Sequence, residues 1–328
     1  MKKAIVTGGA GFIGSHLVEL LLKEGFVVVA IDNLANGPKE NVDIFCNNPS
    51  YSFYQVDLSK PFDDLIFEGA SYVFHMAALA DIVPSIEEPL RYHEANVTAT
   101  VRVLEASRKY RIKKLVYSAS NSCYGIPNNY PTSEAEEIRP QYPYAFTKYL
   151  AEQYVLFWGK LYKIPVISLR YFNVFGTRAR NNSTYGAVFK VFLSQKLHAK
   201  PLTIVGDGMQ TRDFTYVTDV VRANLLAAES DLDGEIINIA TGKTQSINYL
   251  AELIGGPKVH IPKRPGEPDA TYADITKAKK LLGWEPQVSF EEGVQIMLKH
   301  IDYWKAAPVW DVNSIKKATK AWFHYLSK

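Results

Sequence analysis

Cysteine is scarce in this 328-residue chain: Cys46 and Cys123 are the whole complement. Two thiols so far apart exclude a secreted disulfide framework and a metal-binding knuckle. No apolar run approaches the roughly eighteen residues that a membrane-spanning helix needs, and no charged-then-apolar leader precedes the first apolar segment. Net charge is low as well: 37 basic against 34 acidic residues leave +3, spread along the chain, which gives no nucleic-acid footprint. Internal repeats and low-complexity linkers are absent. These absences set the expectation of a cytoplasmic protein with no membrane partner, no nucleic-acid partner and no metal.

What the chain does have is a globular balance, 47% hydrophobic and 22% charged. A core of that size needs no disulfide or metal staple, and the length suits one large domain or two intermingled ones. The first half alternates strand and helix patterns. Strands are expected at 3–7, 26–31, 51–56, 71–75, 112–119 and 164–170, and helices at 12–24, 89–110 and 142–162. That alternation predicts an α/β fold, a Rossmann-type doubly wound parallel sheet with helices on both faces. After about residue 172 the pattern loosens. Short strands (202–205, 236–239) mix with short helices (187–196, 219–229, 247–254, 275–282, 290–305). The expected division is a dinucleotide-binding domain, 1–172 plus about 213–240, and a smaller mixed α/β C-terminal lobe, 173–212 and 241–328. The segment 213–240 is expected to return an edge strand to the first domain.

The opening strand runs directly into Gly8-Gly9-Ala10-Gly11-Phe12-Ile13-Gly14, and an amphipathic helix follows. Gly8 allows a tight turn, Gly11 lets the backbone approach a pyrophosphate, and Gly14 lets helix and strand pack closely. The free N–H groups at the helix start then face the phosphates. Asp32, eighteen residues beyond Gly14, closes the next apolar run. A carboxylate there accepts hydrogen bonds from both adenosine ribose hydroxyls and repels a 2′-phosphate, so NAD is expected in preference to NADP.

Two further elements carry chemistry. Ser118-Ala119-Ser120-Asn121-Ser122 follows a central strand, and Tyr144 and Lys148 lie one turn apart on a predicted helix. A free tyrosine has a pKa of about 10. A nearby ammonium and an oxidised nicotinamide both favour phenolate, so this tyrosine is expected to be unusually acidic. It would take a proton from a substrate hydroxyl while Ser120 steadies the reacting oxygen.

These motifs, with His75-Met76-Ala77-Ala78 and Arg170-Tyr171-Phe172-Asn173-Val174-Phe175-Gly176, resemble the extended short-chain dehydrogenase/reductases acting on nucleotide sugars. Within them the chain is most similar to UDP-glucose and UDP-N-acetylglucosamine 4-epimerases. The resemblance runs from residue 3 to about residue 300. It implies tightly held NAD, a nucleotide-diphosphate sugar substrate and a 4-keto intermediate, with hydride passing from sugar C4 to NAD and back, in the synthesis of polysaccharide or glycan precursors. It also implies a homodimer joined by a four-helix bundle, here helices 89–110 and 142–162, whose alanines and aromatics could equally face only their own core.

The resemblance assigns site residues as well. Tyr144, Lys148 and Ser120 are catalytic. Around NAD it places Gly8, Gly11, Phe12, Ile13, Gly14, Asp32, Asn33, Asp57, Leu58, Ala77, Ala78, Leu79, Asn96, Ser118 and Tyr171, Asn96 being as much a structural as a catalytic residue. Around the substrate it places Ser85, Ser120, Ser122, Asn173, Arg212, Arg264 and Thr271, with Asp213 beside Arg212. Arginines suit a diphosphate because their planar fork binds oxyanions in pairs, although either could be a surface ion pair. Ser85 touches sugar hydroxyls or caps a helix near 86–93. A threonine at 271 leaves room for an N-acetyl group.

Asn121-Ser122 stands where the superfamily's dehydratases carry an Asp-Glu pair, which argues against 4,6-dehydration. The runner-up is a 4-dehydrogenase or ketoreductase on a nucleotide-linked sugar or heptose. Non-catalytic NAD-binding relatives lose the tyrosine or lysine, and both are here. The terminal aromatics, Trp310 to Leu326, depart from the epimerase pattern and are expected to pack a terminal helix onto the second lobe.

Overall fold

The strand β1 (Lys3–Thr7) buries every residue after Lys3 among its neighbours, Ala4 and Val6 on one sheet face and Ile5 on the other. Such a run, apolar on both faces, belongs in the middle of a parallel sheet covered on both sides. The computed structural model, which describes residues 2–181 and 186–327, places it there. Around β1 lie β2 (Val27–Asp32), β3 (Tyr51–Gln55), β4 (Tyr72–His75), β5 (Lys114–Ser120) and β6 (Val166–Tyr171). The sheet order is Glu235–Ile239, β6, β5, β4, β1, β2, β3, with every pair parallel. The chain order reverses between β1 and β4. In an open α/β sheet that point leaves a crevice beyond the carboxyl ends of the strands, where ligands bind.

The helix α1 (Phe12–Lys23) covers one face through Leu17, Val18 and Leu21, together with the helix Val217–Glu229. The other face is covered by Ala99–Lys109 and Pro143–Tyr162, through Val103, Leu104, Ala151 and Val155. Each fully buried aliphatic side chain contributes about 1.5–3 kcal/mol. A separate core gathers Phe175, Phe189, Phe214, Tyr216 and Phe290; the Phe175 and Phe189 rings stack at 4.5 Å. Ala278, Leu282 and Trp284 return to the first core, under the sheet.

Two expected helices are not continuous. The segment 89–110 divides into Pro89–His93, a π-helical turn Glu94–Thr98, and Ala99–Lys109. The wider turn accompanies Asn96, whose side chain accepts from Leu79 N and donates to Leu79 O and Thr147 Oγ1. Single π turns of this kind mark functional sites often enough to be informative. The segment 290–305 ends its α-helix at Lys299 and closes as a 3-10 turn, Ile301–Trp304, which turns Trp304 into the second core.

One buried polar knot locks the Pro143–Tyr162 helix to the sheet. Glu152 and Arg170, 1% and 2% exposed, pair at 2.6 Å and 3.0 Å. Ser168 Oγ donates to the same carboxylate, and Arg170 donates to the Tyr124 hydroxyl, which itself donates to Asn238. Removing one partner strands the other's charge in the interior, a loss of about 3–5 kcal/mol. Glu152→Gln is therefore expected to lower the urea-unfolding free energy by about that amount with an unchanged denaturant slope. A loss below about 1 kcal/mol, the value of a surface pair, would contradict this reading.

Candidate active site

The turn after β1 is built by its glycines. Gly8 has φ +69°, and a side-chain carbon there would meet Ala77 N at 2.8 Å. One on Gly14 would lie 2.0 Å from Gly8 O, so α1 can start only where it does with glycine in place. The helix is capped by Gly11 without a side-chain bond and has no acid in its first turn. Its first N–H groups are thus left for an anion. At the end of β2 the Asp32 carboxylate accepts from Leu34 N (2.8 Å) and Ala10 N (3.1 Å). Burial pushes it above the ordinary carboxylate value, and these N–H bonds oppose the shift.

A groove of about 110 Å³ runs from Gly8 and Gly11 past Asp32, Asn33, Asp57 and Leu58 to Ala77, Ala78 and Leu79. His75 supports its floor. The ring bonds Thr7 at 2.7 Å and Thr100 at 2.8 Å, burial lowers its pKa to about 3, and Thr7 Oγ1 accepts from Met76 N and Ala77 N. A glycine turn open to phosphate, a carboxylate at the end of β2 and a neutral histidine behind the groove together suit a dinucleotide. Asn96 is buried behind the groove and ties Leu79 to Thr147.

This groove adjoins a larger cleft of about 650 Å³, whose wall includes Phe12, Ile13, Gly14, Ser118, Ser120, Ser122, Tyr144, Lys148 and Tyr171. Tyr171 is anchored by donating to Asn224. Ser120, at the end of β5, lies beside the Tyr144 phenol, and its hydroxyl shares a 2.8 Å bond with Ser122. The sequence leads one to expect a tyrosine acidified by an ammonium and an oxidised nicotinamide, and the protein's own groups act the other way. Burial pushes the Tyr144 phenol above its ordinary value, the Ser120 hydroxyl offsets only part of that, and Asp81 pushes the same way as burial. Lys148 is itself desolvated. Burial pulls its pKa down to about 7 against the pull of Glu152, and the amine rests 4.3 Å over the Tyr117 ring.

The far wall holds Asn173, Arg212, Arg264 and Thr271. The Thr271 hydroxyl donates to Asn173 Oδ1 at 2.6 Å. Arg212 donates to Glu267 at 2.8 Å, and Arg264 lies 3.6 Å from the same carboxylate. Neither arginine is a surface pair: their side chains are 9% and 14% exposed. Two residues are placed otherwise than expected. Ser85 sits inside a helix, Ile82–Glu87, fully buried, and donates to Ile82 O. It neither caps a helix nor lines the cleft, because that helix begins earlier than its sequence suggests. Asp213 also turns inward. It accepts from Thr241, Gly242 and Ala273, and burial raises it to about 6.

Comparison with known proteins agrees with this geometry. The profile of the NAD dependent epimerase/dehydratase family matches residues 4–240. The chain belongs to that family. It is 39% identical to a putative UDP-glucose 4-epimerase of Methanocaldococcus jannaschii, over 89% of this chain and 95% of that protein. Among solved structures it resembles UDP-N-acetylglucosamine 4-epimerase from Methanobrevibacter ruminantium M1 in complex with UDP-N-acetylmuramic acid (36% identity, TM-score 0.85, 91% of this chain and 99% of that one). It also resembles UDP-glucuronic acid 4-epimerase from Bacillus cereus in complex with UDP-glucuronic acid and NAD (33% identity, TM-score 0.86, 92% and 99%).

As an NAD-dependent member of this family, the protein holds site residues that its sequence did not advertise. Glu267 bridges both arginines; its place in Arg264-Pro265-Gly266-Glu267 was the available signal. Tyr142 stacks parallel to Tyr144, 6.4 Å away at 7°. Tyr142 is the residue just before the helix start at Pro143, and no motif marked it. Trp322, expected only to pack the terminal helix, lines the cleft. Ile315 from the same terminal segment does join the second core.

The Lys148 shift carries a stability signature. Folding lowers its pKa from 10.5 to about 7, so the unfolded chain binds more protons across that window. Its contribution to stability therefore rises with pH between those values. Lys148→Met removes that slope. The melting temperature of the variant minus that of the native protein is expected to be largest at about pH 6 and to shrink toward about pH 10. A difference independent of pH would contradict the assignment.

Proposed function

We propose that this protein is a 4-epimerase of a UDP-linked sugar, working through a 4-keto intermediate. The observation that carries the reading is the meeting of three features in one cleft: the Ser120 hydroxyl beside the Tyr144 phenol, the glycine turn, and two largely covered arginines bridged by Glu267. Bound NAD supplies a reversible hydride acceptor for sugar C4. Tyr144 takes the O4 proton and later returns it, and Ser120 donates to the same oxygen. Lys148 binds nicotinamide ribose hydroxyls, and Asp32 takes those of the adenosine. Arg212 and Arg264 exchange Glu267 for the diphosphate, a stronger bidentate acceptor. Held by that tether, the keto sugar turns and presents its other face. A phenol raised by burial needs a positive charge nearby to ionise, and oxidised nicotinamide brings it.

Asn121 and Ser122 offer no acid–base pair for removing water, and Ser122 is committed to Ser120. Thr271 is short and already bonded to Asn173, which leaves space for an acetamido group on the sugar. The reading places 1–172 with about 213–240 around NAD, and 173–212 with 241–328 around the nucleotide sugar. Among the described residues no helix is long and apolar enough to cross a membrane. A cytoplasmic site of action, feeding glycan or polysaccharide precursors, accords with the substrate class.

A homodimer is part of the proposal. Phe146, Phe157 and Leu161 share one face of the Pro143–Tyr162 helix at 53–56% exposure, with Leu90 at 70% nearby in sequence to the companion helix. Large apolar side chains aligned in this way seek a partner surface, here the same helices of a second copy. Phe157→Asp is expected to convert a two-chain mass to a one-chain mass by light scattering. An unchanged mass, or a native monomer, would remove the dimer from the proposal.

The function is tested by NMR analysis of UDP-sugars incubated with the protein. Inversion at C4 without net NADH supports epimerisation. Stoichiometric NADH with a 4-keto product would replace it with a dehydrogenase. Tyr144→Phe is expected to lower kcat about 10²- to 10⁴-fold while KM moves little; full turnover by that variant would overturn the role of the phenol.

A further inference from the structure

Tryptophan is the largest side chain a protein can bury, and such a residue usually goes to a core. Trp322 goes to a cleft instead. It lies in the short terminal helix Lys320–Leu326, is 4% exposed, and lines the same cavity as Tyr144. The preceding helix, Val312–Ala318, starts with a reciprocal Asp311–Ser314 capping box and inserts Ile315 into the second core. The terminal segment is therefore anchored before it reaches Trp322.

Three contacts then aim the indole. Its N–H donates to Pro265 O at 2.7 Å, so the polar edge is satisfied within the Arg264–Glu267 loop. The Arg264 guanidinium lies 5.5 Å from the ring centre. On the other side the ring meets Tyr142 at 6.2 Å, and Tyr142 stacks on Tyr144. Leu326 closes over Gly266, 3.8 Å from where a side chain there would begin. The result is a row, Trp322, Tyr142, Tyr144, that leads from an arginine of the far wall to the general base.

We propose that Trp322 closes the sugar end of the cleft, giving the sugar ring an aromatic wall that keeps it against Tyr144. This rests on the nucleotide-sugar reading above. A sugar whose O4 meets Tyr144 has its next wall in Tyr142 and Trp322, and the C–H faces of a sugar pack well on aromatic rings. An epimerase also has to keep an uncharged ketone from leaving while it turns, and a wall of this kind restrains it. Trp322 is thus a positioning and specificity residue contributed by the terminal helix.

The test separates sugar binding from nucleotide binding. Trp322→Leu keeps an apolar side chain but removes the aromatic face, and Trp322→Phe restores a ring. For UDP-glucose and UDP-N-acetylglucosamine, the leucine variant is expected to raise KM about three- to tenfold, the value of an aromatic contact. Because Arg264 packs on the ring, its calorimetric Kd for UDP should rise too, but by less than the KM for either UDP-sugar, and the phenylalanine variant should recover most of both losses. In the unaltered protein, hydrogen exchange in 320–326 should slow with either UDP-sugar more than with UDP. Equal weakening of UDP and UDP-sugar, which marks a scaffold role, overturns the proposal. So does an unchanged KM, or exchange that is indifferent to the sugar. If the native protein inverts neither sugar, the proposed function fails on its own, and the exchange comparison still decides the place of Trp322.

Discussion

The Glu152–Arg170 pair fixes the relation between the sheet and the helix that carries Tyr144 and Lys148. Arg170 belongs to β6, and its guanidinium also reaches Tyr124, just beyond β5. Ser120 ends β5, so its hydroxyl and the Tyr144 phenol hang from one buried ionic knot. A site of this kind works only if its groups are held within a fraction of an ångström. A buried pair is weak evidence for stability in general. Here its value lies in register: it allows one position of the helix along β6 and leaves Ser168 and Asn238 satisfied.

The electrostatics of the cleft follow from burial. Burial keeps His75 neutral behind the groove and brings Lys148, in the adjoining cleft, to a pKa of about 7. At the far wall Glu267 offsets part of the charge of two largely covered arginines. In the proposed reading the remaining charge is met by the ligands, a diphosphate at one end and an oxidised nicotinamide at the other.

Much of this was legible in the chain. Three glycines, an apolar strand before them and Asp32 after them describe one local geometry, and the doubly wound parallel sheet followed from the alternation of strand and helix. Tyr144 and Lys148 were readable because one helical turn is a fixed distance. The rest depends on long-range packing. The π turn at Glu94–Thr98 accompanies an amide, Asn96, that bonds Leu79 and Thr147, neither of them close in sequence. Ser85 looked like a cap because its helix was expected to begin later than it does. The direction of the Tyr144 shift depends on desolvation, which no spacing encodes. Trp322 reaches the cleft only because Ile315 anchors the segment before it.

The central claim is that C4 of the sugar is oxidised and then reduced within one closed cleft. A UDP-sugar carrying deuterium at C4, followed by NMR to equilibrium, tests it most directly. The account predicts inversion at C4 with the deuterium retained on the inverted carbon. Inversion with deuterium lost to water would contradict it, as would deuterium retained with no inversion.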